Sequence, residues 1–491
     1  MQIIGKGRIE LMFITSEFGW RKTGMSFQRL TLSFACCCAL LLGANIAMAQ
    51  DPAEPPNGAP KVEAIPRPSG AIPRAAIDEN LMRSVIDELV TCGTRDSFSS
   101  WTDPKRGIGC ARDHIVARFQ KIASDSGGRL QIVVDKFDTQ LPRTGEKVHL
   151  ENVYAILPGS DPALAKTVFI TSGDFDSRPS QTNDASSDAP GADDDASGTA
   201  VAIESARLLS KGTYRATIIL AALSGEEQGL LGAQGMFRYL QANGYTVGGY
   251  MDNDIVGADP APGGPHRARV FSGGGPDGVD SPSRELARAT EEIDGLDNIR
   301  MIFRLDRLGR GGDHEPFVRA GLPAVRFTEP QENYDHQHQT PRTENGREYG
   351  DFAKFLDYTF MGSVARDNAE VLRELALAPA PPANVTVWHV PQTAMGYAQI
   401  KWQVASGHEN DSELAGFEIL WRETTSPRWS VFQFVPAGAA MDVTLGGVSP
   451  DNHFFALRSV GKNGARSLAF PAVLPTRQPR PARAAFQSGR N

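Results

Sequence analysis

Cysteine is scarce in this chain, five residues among 491. Cys36, Cys37 and Cys38 stand together in an N-terminal apolar run, which leaves Cys92 and Cys110 as the only pair beyond it. One pair at that spacing carries no metal-binding signature, and two thiols in an oxidising compartment are expected to form a disulfide. Positive charge is also thin. Lys and Arg number 50 against 58 Asp and Glu, a net charge of −8, and no basic run is present to follow a phosphate backbone or an anionic membrane. Nucleic acid is therefore not an expected partner. There is no Gly-x-Ser-x-Gly elbow, His-Glu-x-x-His helix or phosphate-binding glycine loop, so the rival enzyme classes that those motifs announce have no support.

The apolar run Leu30 to Leu42 is shorter than the ~20 residues that a bilayer span needs. Arg21, Lys22 and Arg29 precede it and Ala47-Met48-Ala49 follows, which is the order of a signal peptide cleaved before Gln50. Residues 1–49 are expected to direct export to a secreted or periplasmic location, with a true start at Met25, and no stable membrane insertion is expected after their removal. The Pro- and Ala-rich residues 50–77 read as a disordered or pro-segment lead-in.

From Ile77 to Leu89, and again from Ala111 to Ala123, apolar residues recur at helical spacing. Strand-like runs follow at Leu130 to Val134, Val148 to Ile156 and Thr167 to Thr171. Helical and strand-like segments then alternate: Gly198 to Leu209, Ala216 to Leu223, Leu230 to Leu240 and Gly248 to Asp252. A helix capped by Ser281 with Pro282 at its first position comes next, and a long one is expected from Gly350 to about Leu375. This alternation predicts, for residues 78–375, an α/β domain on a mixed, largely parallel sheet flanked by helices. Pro379, Pro381 and Pro382 make residues 376–383 a stiff linker. Seven short β-branched and aromatic runs from Val385 to Phe470 predict an all-β sandwich over residues 384–475. Residues 476–491 read as a disordered tail.

What the chain has in plenty is clustered acid. Ala192-Asp193-Asp194-Asp195-Ala196 opens into an apolar-periodic segment, and three successive carboxylates there call for a compensating cation if they are buried. Alone, the stretch reads as a solvated acidic loop with Asp195 or Ser197 capping the next helix. Further clusters stand just after predicted strands: Asp174-Phe175-Asp176, Glu226-Glu227 and Asp254. Parallel sheets bind ligands outside the carboxyl ends of their strands, so several strand ends are expected to deliver carboxylates to one rim.

Gly191-Ala192-Asp193-Asp194-Asp195-Ala196-Ser197-Gly198, Gly225-Glu226-Glu227-Gln228-Gly229-Leu230-Leu231-Gly232, Asp254-Ile255-Val256-Gly257 and a late His together resemble the secreted di-zinc exopeptidases of metallopeptidase family twenty-eight. Bacterial leucyl aminopeptidases and aminopeptidase Y belong to it. The resemblance covers roughly Ile77 to Leu375 and implies a zinc exopeptidase fold, peptide substrates and two divalent ions. By the same resemblance Asp193 would bridge the ions and be joined to Asp194 by a cis bond, Glu227 would hold one ion and Asp254 the other. Glu226 would be the general base. For the late His the register favours His336, with His338 as the other candidate, and His314 would be a supporting or structural residue.

One departure from the family pattern stands out. The family's His-x-Asp motif reads Asp174-Phe175-Asp176 here, with Asp176 at the position that supports the imidazole. The set Asp193, Glu227 and His suits zinc, whereas Asp174, Asp193 and Asp254 are all oxygen donors that suit manganese, magnesium or calcium at least as well. The expected activity is an aminopeptidase using Glu226 with support from Asp176. A single-zinc glutaminyl cyclase-like enzyme and a non-catalytic receptor-like ectodomain stay open as alternatives. Tyr397, Trp402 and Gly416-Phe417-Glu418-Ile419 resemble a fibronectin type III domain, which implies contact with a protein, polymer or surface.

Overall fold

Eight strands make one sheet: β1 (Gln131–Gln140), β2 (Lys147–Leu157), β3 (Thr167–Asp174), β4 (Thr217–Leu223), β5 (Thr246–Asn253), β6 (Ala268–Phe271), β7 (Ile299–Ile302) and β8 (Ala324–Thr328), in the order β1-β2-β4-β3-β5-β8-β6-β7. The neighbours β4, β3, β5 and β8 run parallel to one another through the middle, as do β6 and β7 at one edge. The hairpin of β1 and β2 joins β4 antiparallel, and β6 joins β8 antiparallel, so the sheet is mixed and largely parallel as expected. The computed structural model describes residues 65–68, 71–259, 266–274, 280–295, 298–390 and 397–475. The expected signal peptide, most of the lead-in and the C-terminal tail lie outside the described residues.

All seven residues of β4 are buried, because helices cover both faces of the sheet. Ile218, Leu220 and Ala222 point into one core, which takes in side chains of α1 (Glu79–Thr91), α2 (Ile108–Asp125), α3 (Ala196–Leu209), α5 (Pro282–Asp294) and α7 (Tyr358–Leu377). Ile219, Ala221 and Leu223 point into the other, beside α4 (Leu231–Ala242) and Phe317 of α6 (Glu315–Arg319). Each buried Ile or Leu contributes about 1.5–3 kcal/mol, so a polar replacement anywhere along β4 would be costly.

Caps set the helix starts. Asp78 accepts from Leu81 N–H ahead of α1, and Ser281 accepts from Arg284 N–H ahead of α5. The last helix begins at Tyr358 and not at Gly350, because Asp357 caps it through Thr359 and Phe360 N–H and Gly350 takes a left-handed φ of 127° that a helix cannot hold. The short hairpin of β9 (Arg342–Glu344) and β10 (Arg347–Tyr349) precedes that turn, with Asn345 and Gly346 both at positive φ. Cys92 and Cys110 are joined in a disulfide between the end of α1 and the start of α2, Cα to Cα 5.9 Å.

The seven C-terminal runs are all strands: β11 (Ala383–His389), β12 (Tyr397–Gln403), β13 (Leu414–Glu423), β14 (Ser430–Pro436), β15 (Asp442–Gly446), β16 (His453–Gly461) and β17 (Phe470–Pro471). They form two antiparallel sheets of three and four strands over a shared core that includes Trp402, Phe417, Trp421 and Leu457. This part packs on the α/β part through charge. Arg458 on β16 reaches Glu292 of α5 at 2.6 Å and Glu418 of β13 at 2.7 Å, Trp429 Nε1 donates to Glu285 at 2.7 Å, and Arg215 holds Asp411 at 2.9 Å.

Candidate metal centre

The carboxyl ends of β3, β4 and β5 open on one rim, and each is followed by acid: Asp174 and Asp176, then Glu226 and Glu227, then Asp254. Parallel pairing puts these ends in register, since Asp174 lies opposite Leu223 and Ser172 opposite Asp252. The acidic triplet reaches the same rim as the turn into α3. That helix comes close to the strands because Gly198 lacks a side chain: a Cβ there would lie 1.9 Å from the Asn253 carbonyl.

The three successive Asp residues have three different tasks. Asp195 is the cap of α3, accepting from Gly198 N–H at 2.9 Å, and it also accepts from the N–H groups of Asp174 at 3.1 Å and Ile255 at 3.2 Å. It therefore ties the ends of β3 and β5 to the helix. Asp193 turns toward Gly257, whose N–H it accepts at 2.8 Å, and shares a hydrogen bond with Glu329. Burial pushes Asp193 up to about 7, and burial together with Asp193 pushes Glu329 well above the usual carboxylate range. Asp194 alone faces the rim, its Oδ2 2.9 Å from His338 Nε2, and the same nitrogen lies 2.8 Å from Glu227 Oε1.

Two expectations change accordingly. The cis peptide joins Asp194 to Asp195, and Asp194 takes the place expected of Asp193, which is turned away to the Gly257 backbone. His338, not His336, comes to the rim; His336 lies flat on Phe355 with ring centroids 3.8 Å apart. His338 reaches its place with a positive φ of 55°, an uncommon backbone for a residue with a Cβ. His314 is buried, its Nε2 on the Leu305 carbonyl at 2.8 Å, a structural position as expected.

Asp194, Glu227 and His338 offer three ligand atoms that all lie within 4.8 Å of one another. Two carboxylates and an imidazole are a donor set that fits zinc, with a fourth position left for solvent or substrate. Burial opposes charge on His338, but Glu227 and Asp194 push it up to about 10. Burial likewise opposes charge on Asp194, yet His338, Arg310 and Arg307 hold it well below the usual carboxylate range. The donors thus enclose a positive charge even with only a proton to supply it.

The second expected set is not gathered in this way. Asp174 ends β3 with its carboxylate among Asp195, Asp176, Asp254 and Glu226, and burial together with those charges pushes it well above the usual range. Asp254 spends one oxygen on Arg326, at 2.8 Å. Asp176 accepts from Glu226 N–H at 3.1 Å and Glu227 N–H at 3.2 Å, so it positions the glutamate pair through the backbone. Glu226 stands next to Glu227 on the rim, and burial followed by Asp254 and Glu227 pushes it well above the usual range.

Sequence reasoning missed three supports. Asp351 accepts from Asp193 N–H and Asp194 N–H at 2.8–3.0 Å; nothing local marked it. The buried Arg95 donates to the carbonyls of Phe175 at 2.8 Å and Gly191 at 2.7 Å, joining the β3 end to the acidic turn. Arg326 carried a signal, a charge in the middle of the strand-like run Ala324-Val325-Arg326-Phe327-Thr328.

Comparison with known proteins places the chain in a family. A profile described as peptidase family M28 matches residues 152–360. A probable zinc metalloprotease of Leptosphaeria maculans is 40% identical over 81% of this chain and 95% of its own length. One from Pyrenophora tritici-repentis is 39% identical over 84% of this chain and 89% of its own. Among solved structures, the LapA aminopeptidase of Legionella pneumophila aligns with a TM-score of 0.47 at 16% identity, over 62% of this chain and 71% of that one. With curated relatives this similar along four-fifths of its length, the chain belongs to peptidase family M28 and is a metallopeptidase.

Proposed function

We propose that this metallopeptidase is an exported aminopeptidase that removes N-terminal residues from peptides. The observation that carries the reading is the meeting of Asp194, Glu227 and His338 beside Glu226. Zinc, the metal in the relatives' names, would be held by those three residues, where it supplies Lewis acidity and brings water toward ionisation near pH ~7. Glu226 takes the proton of the attacking water on its carboxylate and hands it to the departing amine. Asp176 keeps the Glu226–Glu227 backbone in place, and Asp195 and Asp351 hold the turn that aims Asp194. Export rests on the N-terminal sequence pattern, and a binding role for the β-sandwich on its fibronectin-like residues.

An aminoacyl-p-nitroanilide panel and N-blocked peptides, assayed with zinc-loaded protein, test the reading. Turnover of free-amine substrates with none of the blocked ones is expected. Cleavage within blocked peptides would overturn the exopeptidase assignment, and cyclisation of N-terminal glutamine without hydrolysis would replace it with the cyclase reading.

A further inference from the structure

The carboxylate expected to hold a second ion already has a cation. Arg326 lies on β8, directly opposite Asp252 of β5, and its side chain is wholly buried. Its Nη2 is 2.8 Å from Asp254 Oδ2, and its Nη1 is 3.1 Å from Asp306 Oδ2 and also donates to the Gly311 carbonyl. Asp306 is held in turn by Arg307 Nε at 3.0 Å, and Arg307 is tied to Glu332 at 2.7 Å. A guanidinium fixed between two carboxylates and a carbonyl cannot swing aside without leaving Asp254 buried and unpaired. It is also permanently charged.

We propose that the Arg326 guanidinium serves as the second cation of the centre, so that the protein binds a single catalytic metal ion at Asp194, Glu227 and His338. The proposal rests on the metal-binding reading of that trio. The other expected position differs from it in two ways. Its imidazole is replaced by Asp174, and Asp254 is engaged to a fixed positive charge. A dication entering there would share a carboxylate with that charge and be repelled by it at contact range. Among the described residues, Asp174 and Asp254 are not drawn into a three-ligand group with Asp194 as Glu227 and His338 are. Arg326 is thus a positioning residue. It neutralises Asp254 and keeps that carboxylate beside Glu226 without a second metal.

The test is metal stoichiometry of the full-length protein, stripped with chelator, reloaded with zinc or manganese, desalted and counted by elemental analysis. One ion per chain is expected. Arg326→Ala should raise the count to two, because Asp254 Oδ1 already lacks a hydrogen-bond partner and Oδ2 would be released. Asp254→Asn in that background should return it to one. Asp174→His alone should leave it at one, since the guanidinium stays in place. Two ions in the unaltered protein, two in Asp174→His, or one in a folded Arg326→Ala would each overturn the proposal. Should Arg326→Ala not fold, anomalous scattering from zinc-loaded crystals of the unaltered protein decides: a single peak with Arg326 still on Asp254 supports it, and a second peak overturns it. Failure of the underlying reading looks different, as no bound ion at all, or an ion retained after His338→Ala.

Discussion

Asp193 and Asp194 follow one another in the chain and serve unrelated partners: Asp193 accepts the Gly257 N–H at 2.8 Å, and Asp194 lies 2.9 Å from His338. Replacing each should therefore do different damage. Asp194→Asn is expected to weaken zinc binding at least tenfold with the fold intact. Asp193→Ala is expected to keep the metal but lose about 1–3 kcal/mol of stability, the cost of a buried unpaired donor. Zinc titration and urea unfolding of both variants separate the two effects.

The two late histidines divide in the same way. His338→Ala should abolish stoichiometric zinc binding, whereas His336→Ala removes only a ring stacked on Phe355 and should leave zinc bound. That stacking is worth about 0.5–1.5 kcal/mol, so a modest fall in melting temperature is the expected cost. Elemental analysis of the two purified proteins checks it.

Glu226→Gln should reduce kcat by about 10²–10⁴-fold while retaining zinc, because general base catalysis contributes that much and Glu226 is not in the metal-holding trio. Parallel measurement of turnover and metal content is needed. Full activity in this variant would mean that another group carries the proton.

In metal-free protein, burial disfavours charge on His338, yet Glu227 and Asp194 push it up to about 10, above the value of about 6.5 expected when unfolded. The folded state then binds the proton more tightly. The stability this adds is fully present below about pH 6.5 and is lost as pH rises through about 10. Chelated protein should accordingly lose stability between those limits, with a smaller slope in His338→Ala. Zinc uptake at pH 8 should release about one proton, which calorimetry in buffers of different ionisation enthalpy would detect.

Arg458 joins the two parts of the chain, between Glu292 and Glu418, with only 8% of its side chain exposed. Arg458→Met should destabilise the protein by about 1.5–3 kcal/mol, the worth of charged hydrogen bonds, since buried Glu418 keeps Arg466 and the part-exposed Glu292 keeps Arg67. Since Arg458 lies far along the chain from the rim and contacts none of its residues, kcat on a dipeptide should be unchanged. Urea melts and steady-state rates give both numbers.

Much of this protein was readable along the chain, because the features concerned are local. The apolar run Ile218 to Leu223 read as a covered strand, and the seven aromatic and β-branched runs after the proline linker read as a sandwich. Asp174 stood out along the chain because it ends such a strand, and Glu226, Glu227 and Asp254 because each comes soon after one. What the chain could not reveal was which member of a repeated residue type faces the site. Asp193, Asp194 and Asp195 are chemically identical, and only the turn into α3 aims their side chains; that turn is held by Asp351, which lies 157 residues beyond Asp194. His336 and His338 were ambiguous for the same reason, since Phe355 takes one ring and the left-handed backbone at His338 delivers the other. The partner of Asp254 was likewise settled by sheet order. β8 lies beside β5 despite the long stretch of chain between them, and that adjacency sets the Arg326 guanidinium against the carboxylate.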